Sequence, residues 1–131
     1  MRVIAVALAV GAAVAACANA SPATSTTRLT ITVWAKGRGA GAEPAKWTLR
    51  CEPAGGTLPR RARACSTLFA NREVLRPVPP ATVCTQIYGG PQEALVTGTV
   101  RGTRVWVRFN RRNGCEISRW SRLAPLFPVR V

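Results

Sequence analysis

Leu29-Thr30-Ile31-Thr32-Val33-Trp34 puts Leu29, Ile31 and Val33 on one side of an extended chain and Thr30, Thr32 and Trp34 on the other. That is the period of a strand with one face in a core. The same alternation returns in Trp47-Thr48-Leu49-Arg50-Cys51 after a glycine-rich turn from Lys36 to Pro44. The two segments therefore read as an antiparallel hairpin with Trp47, Leu49 and Cys51 facing inward. Downstream, Glu93 to Val100 reads as a strand that turns at Arg101-Gly102 into Arg104 to Phe109, where Val105, Val107 and Phe109 alternate with Arg104, Trp106 and Arg108.

Between these pairs, the turn-rich crossing Cys51 to Pro59 leads into Arg60 to Arg72, where Ala62, Cys65, Leu68 and Phe69 recur at helical spacing and Arg60, Arg61 and Arg63 make a solvated basic face. After the last strand, Asn110 to Gly114 turns the chain into Cys115. The apolar, proline-broken end from Leu123 to Val131 reads as a final sheet strand with a short tail. The expected fold is a small α+β domain, an antiparallel sheet of about five strands with one main helix packed on one face and two disulfides.

Ahead of the fold, Met1-Arg2 followed by the apolar run Val3 to Ala16 is too short for an ordinary membrane span and has the form of an export signal over residues 1–20. Val14-Ala15-Ala16-Cys17 resembles a bacterial lipobox, and lipidation of Cys17 with retention at the membrane is the expectation. Cleavage after Ala18-Asn19-Ala20, with free secretion, is the alternative. Residues 21–27 read as a flexible tether and 28–131 as one domain, about 110 residues in all. Of the five cysteines, Cys17 leaves the count either way, so Cys51, Cys65, Cys84 and Cys115 remain to pair in an oxidising compartment.

Composition excludes most catalytic chemistry. The chain has no histidine and no aspartate, which removes Ser-His-Asp triads, Cys-His pairs and histidine metal sites. The glutamates, Glu43, Glu52, Glu73, Glu93 and Glu116, are scattered with no spacing that pairs them as a glycosidase needs. No enzyme, cofactor or metal is expected. The formal charge is +14, and arginine supplies seventeen of the nineteen basic residues. Attraction to anionic surfaces is one consequence of such a charge; arginine-rich codon usage explains it without any function.

The stretch Val83-Cys84-Thr85-Gln86-Ile87-Tyr88-Gly89-Gly90-Pro91 is tethered by a cysteine and released into a glycine-proline turn. Nothing in it can act as a base or bind a metal. An extended, cysteine-anchored peptide of this kind is what a protease cleft is built to receive.

The chain resembles the Streptomyces subtilisin inhibitor-like proteins. Cys51-Glu52-Pro53-Ala54-Gly55-Gly56-Thr57-Leu58-Pro59 is similar to that family's Cys-x-Pro-x-Gly-Gly-Thr-His-Pro, and Leu29 to Val33, Ala64-Cys65, Gly102-Thr103-Arg104-Val105 and Asn113-Gly114-Cys115-Glu116 are similar to its other landmarks. Cys84 to Tyr88 is similar to its reactive segment. The resemblance implies inhibition of a subtilisin-type serine protease. It makes Gln86–Ile87 the reactive bond, with Cys84, Thr85 and Tyr88 as loop contacts and Asn113 as loop support. The implied disulfides join sequence neighbours, Cys51 with Cys65 and Cys84 with Cys115. It further implies a homodimer built through the sheet, and it calls for no specific nucleic acid. The departures are Leu58 for histidine, Gly89-Gly90-Pro91 for a shorter Asp-Pro, and Arg111 for an aromatic. Gly89-Gly90 predicts a loosely held distal end of the loop. A competing reading keeps the scaffold but not the inhibition, as a basic envelope lipoprotein that binds anionic polymers. If Cys17 carries lipid, metabolic lipid labelling marks the wild type and not Cys17→Ala, which passes into the medium; equal recovery of both in the medium without label shows cleavage after Ala20.

Overall fold

The computed structural model describes residues 26–129. The signal segment, the lipidation candidate Cys17 and residues 21–25 of the tether lie outside the described residues. In chain order the elements are β1 (Thr27–Trp34), β2 (Ala45–Cys51), α1 (Arg61–Ala70), β3 (Glu93–Val100), β4 (Thr103–Phe109) and α2 (Gly114–Arg122). Single turns of 3-10 helix lie at Arg38–Ala40, Arg72–Leu75 and Ala124–Leu126. The strands form one antiparallel sheet in the order β2-β1-β3-β4.

The alternation of β1 decides which face is buried. Ile31 lies opposite Trp47 on one side and Val96 on the other, and Val96 lies opposite Val107. Repeated in the register, this makes an apolar inner face of Leu29, Ile31, Val33, Leu49, Val96 and Phe109, all fully or almost fully buried. Both helices cover that face. α1 packs against β2 and the Ala124–Leu126 turn, α2 against β4, and Leu68, Trp120, Leu123 and Phe127 complete the core. The outer face keeps Thr30, Thr48, Lys46, Arg104, Trp106 and Arg108 exposed.

Both disulfides form as expected, Cys51–Cys65 across a separation of 14 and Cys84–Cys115 across 31. The first ties the end of β2 to α1. Loop closure in the unfolded chain makes bridges of these lengths worth about 3 and about 3.5 to 4 kcal/mol.

Several details depart from the sequence expectation. β1 begins at Thr27, which the sequence reading left in the tether; its side chain is buried and its Oγ1 accepts the Arg101 N–H at 3.0 Å. In α1 the buried stripe is Ala64, Cys65 and Leu68, and Ala62 faces solvent. Ala64 lies four residues before Leu68 and next to Cys65, so it shares their buried face, whereas Ala62 lies on the opposite side of the turn. The sheet has four strands among the described residues, and the expected strand from Leu123 is instead the end of a second helix and a 3-10 turn. Pro125 and Pro128 lack the N–H groups that a strand would donate, and Leu123, Leu126 and Phe127 turn into the core between the helices.

α2 starts where Asn113 Oδ1 accepts the Glu116 N–H at 3.0 Å, an N-cap. Its key side chain is Arg119, only 8% exposed. The guanidinium donates from Nε and Nη2 to the Val74 carbonyl at 3.2 and 3.0 Å, and from Nη1 to Glu116 Oε2 at 2.8 Å. It also lies 4.7 Å from the Phe109 ring centroid. One buried charge thus joins α2, the Arg72–Leu75 turn and β4. Arg122 on the same helix pairs with Glu73, but the two side chains are 46% and 54% exposed. Arg119→Ala should therefore lower the unfolding free energy by about 3 kcal/mol, because it strands the carbonyl of buried Val74 and a carboxylate that is only 16% exposed. Arg122→Ala should cost under about 1 kcal/mol. Urea unfolding with the disulfides intact measures both; equal losses would contradict the assigned role of Arg119.

Candidate functional site

From Arg76 to Gln92 the chain has no helix or strand. Pro77, Pro79 and Pro80 account for its first half, since each lacks an N–H and biases the residue before it away from helix. The unusual feature is what this segment exposes. Val83, Ile87 and Tyr88 are 97%, 60% and 67% exposed, although apolar side chains of this size are ordinarily covered. Gln86 lies exposed among them. Such clustering in one loop marks a contact surface.

The loop is held from both ends. On the upstream side, Cys84 is bridged to Cys115 in the first turn of α2, and the Gly114 N–H donates to the Thr85 carbonyl at 2.9 Å. A Cβ on Gly114 would lie 2.0 Å from Thr85 Oγ1, so any other residue there would push the Thr85 hydroxyl out of its present position. On the downstream side, the Gly89 N–H donates to the Arg111 carbonyl at 2.7 Å. The Arg111 guanidinium returns a hydrogen bond from Nη1 to the Gly89 carbonyl and reaches Gln92 Oε1 at 3.5 Å. A Cβ on Gly89 would come within 2.8 Å of the Ile117 side chain. Gly89 is thus a close-approach position, packed against Ile117 and Arg111, which corrects for this residue the expectation of a loosely held distal end; Gly90, at φ 125°, has the backbone conformation that favours glycine.

Between the clamps, Gln86, Ile87 and Tyr88 project to solvent, and Gln86 Nε2 donates to the Cys84 carbonyl at 3.3 Å within the loop itself. Asn113 does not reach the loop through its side chain, whose oxygen caps α2; its neighbour Gly114 makes the loop contact. The structure therefore brings together Cys84, Thr85 and Cys115 with Gly114, and it adds Arg111 and Gly89, which the sequence reading had singled out only as departures. The signal for Arg111 was its place one residue before the arginine preceding Asn113, too weak to reveal a partner twenty-two residues away. Among the described residues, no group of three or more carboxylates, cysteines or histidines is placed to hold a metal ion.

A model of the family described as subtilisin inhibitor-like matches residues 23–113 of this chain, a span that contains the whole sheet and the clamped loop. The chain belongs to that family. It is not an enzyme. Among solved structures the fold is similar to Streptomyces caespitosus sermetstatin, crystallised in complex with Bacillus licheniformis subtilisin, at 25% identity and a TM-score of 0.52. That likeness covers 79% of this chain and 99% of sermetstatin. No curated protein matches the chain. Within this subtilisin inhibitor-like scaffold, Arg111 stands where the resemblance calls for an aromatic, and its guanidinium adds a hydrogen bond to the Gly89 carbonyl. In Arg111→Ala the Gly89 amide should exchange with solvent about ten times faster, as expected when about 1 to 1.5 kcal/mol of hydrogen bonding is lost locally. Amide exchange by NMR reads this opening, and since the variant keeps the backbone carbonyl that accepts the Gly89 N–H, an unchanged Gly89 rate would remove the Arg111 guanidinium from the clamp.

Proposed function

We propose that this chain is an extracytoplasmic inhibitor of subtilisin-type serine proteases that presents Gln86–Ile87 as a substrate-like bond. The observation that carries the reading is the loop's construction. Its contact residues are exposed, while Thr85 on one side and Gly89 on the other are hydrogen-bonded to the body of the fold. Family membership and the likeness to a subtilisin-bound inhibitor support the same class of partner.

An inhibitor of this kind needs no catalytic group of its own. Thr85 to Tyr88 would lie along the cleft as an added strand, with main-chain hydrogen bonds supplying affinity and the Gln86 side chain entering the specificity pocket. Because the loop is already clamped, little conformational entropy remains to be lost on binding. After acyl transfer to the protease serine, the new amine at Ile87 stays tied to the fold through Gly89 and Arg111, while Gln86 is held through Cys84. The amine then remains within reach of the acyl carbon, and religation competes with hydrolysis. Gln86 carries no charge, so it offers an acidic trypsin-like pocket no ion pair, whereas a roomy subtilisin pocket accepts it.

Titration of protease activity with the purified protein tests the assignment. Gln86→Pro should raise the inhibition constant against a sensitive subtilisin by about a hundredfold or more, as loss of a central anchor does. Gln86→Arg should gain inhibition of trypsin. Arg61→Ala, exposed on α1 away from the loop, should leave both unchanged. Full inhibition by Gln86→Pro would place the reactive bond elsewhere.

A further inference from the structure

The two edges of the sheet end differently. On β2, the backbone groups that point away from β1 are taken by the chain's own crossing: the Thr48 carbonyl accepts the Thr57 and Leu58 N–H groups at 3.0 and 3.1 Å, and Arg50 exchanges hydrogen bonds with Gly55 at 2.8 and 2.9 Å. On β4 no segment does this. The turn at Arg101-Gly102, with both residues at positive φ, closes on the pair Val100 and Thr103. Thr103, Val105 and Val107 therefore bond to β3, and the N–H and C=O groups of Arg104, Trp106 and Arg108 point away from it. Among the described residues none of those groups has a backbone partner. Beside this open edge runs a groove of about 990 Å³, between β4 and the Arg72–Leu75 turn. Its floor is apolar, since Phe69, Leu75, Val105 and Val107 are half-buried and packed on the core. Arg72 and Arg76 border it, exposed and in no ion pair among the described residues, whereas the bordering carboxylates Glu73 and Glu116 are held by Arg122 and Arg119.

We propose that the β4 edge takes an extended acidic segment of a partner protein as one more strand of the sheet. Its backbone pairs with Arg104, Trp106 and Arg108, its inward apolar side chains rest on Leu75, Val105 and Val107, and its carboxylates meet Arg72 and Arg76. The open backbone groups select a peptide. An acyl chain laid in the same groove would cover N–H and C=O groups without giving them partners, a cost that an added strand avoids. Charge selects an acidic segment, because the unpaired arginines that border the groove repel a basic one. Pairing of β4 with the same strand of a second copy is opposed by the strand itself: centred on Trp106, it sets Arg104 of each copy opposite Arg108 of the other, and like charges directly opposite destabilise a ladder. The outer face of the sheet is not needed for this contact. The homodimer that the resemblance implies and the added strand are therefore compatible. β4 offers about 20 Å of edge, room for a segment of about six or seven residues. No residue of 83–91 borders the groove, so this surface is separate from the reactive loop and the proposal goes beyond the inhibitor reading.

The probe is a dye-labelled heptapeptide, Glu-Thr-Val-Thr-Val-Thr-Glu, which puts its valines and glutamates on one side of a strand. Fluorescence anisotropy with the purified protein at about 50 mM salt should show saturable binding. The same peptide with lysine for glutamate should bind about tenfold more weakly, as lost ion pairs and gained like-charge contacts add. Arg72→Glu/Arg76→Glu, a double change at exposed positions, should reverse that preference. Proline in place of both valines removes donors from the added strand and should abolish binding. Amide exchange by NMR reads the pairing: with saturating peptide the Arg104, Trp106 and Arg108 N–H groups should exchange about tenfold more slowly, and those of Thr103, Val105 and Val107, already bonded to β3, should change less. Absence of binding at low salt overturns the proposal. Binding that leaves the Arg104, Trp106 and Arg108 amides unprotected, as for an amphiphile held by the groove alone, overturns it too. Slow exchange of those amides without peptide would give the edge to a second copy, and equal affinity for the lysine peptide would remove the acidic partner; either result is fatal. No protease is present in these measurements, so their failure leaves the inhibitor assignment standing, and full inhibition by Gln86→Pro leaves this one standing.

Discussion

The covalent link between Cys84 and Cys115 is the constraint on which the functional geometry rests. It fastens a segment that has no secondary structure of its own to the first turn of a helix whose position is set by the core. The Gly114 N–H on the Thr85 carbonyl then fixes the direction in which the chain leaves the bridge. A disulfide alone would leave a swivel, because two residues joined through side chains still rotate about the χ angles between them. The adjacent backbone hydrogen bond from the Gly114 N–H to the Thr85 carbonyl removes that freedom. The same α2 carries Ile117, against which Gly89 packs, so one short helix bears both ends of the loop.

The position of α2 depends in turn on Arg119. Burying a guanidinium is costly unless its donors are satisfied. Here three of them reach a carbonyl and a carboxylate. The chain's few carboxylates are used almost entirely in this way: Glu52 with Arg101, Glu73 with Arg122, Glu93 with Arg112 and Glu116 with Arg119, every pair but the last joining distant parts of the chain. Of these pairs, Glu116 with Arg119 is the one whose two side chains are both largely covered. Among the described residues, Arg28, Lys46, Arg50, Arg104 and Arg108 of the sheet are in no ion pair with these glutamates.

Strand positions were legible because an antiparallel sheet with one wet face imposes a period of two, and that period survives in Leu29 to Trp34, Trp47 to Cys51 and Arg104 to Phe109. The α1 segment was legible for the analogous reason at helical spacing, although its hydrophobic stripe was misplaced from Ala64 to Ala62. α2 was missed. Its inward positions, Ile117 and Trp120, are interrupted by serines and arginines, and the buried Arg119 reads in sequence as one more surface cation. The terminal Leu123 to Phe127 run was apolar enough for a strand, yet a short apolar run does not distinguish a strand from a buried turn.

From residues alone one could read the α+β class, the cysteines available for pairing, the absence of catalytic histidine and aspartate, and a cysteine-anchored loop at 83–91. Local chemistry carries each of these, and local chemistry is what a sequence contains. What only the tertiary structure decided is how that loop is held: Gly89 against Ile117, Arg111 on the Gly89 carbonyl, Gly114 under Thr85, and Asn113 turned to its helix. Those contacts join segments that are far apart in sequence, and whether a glycine is a hinge or a close-fitting contact depends on what folds against it.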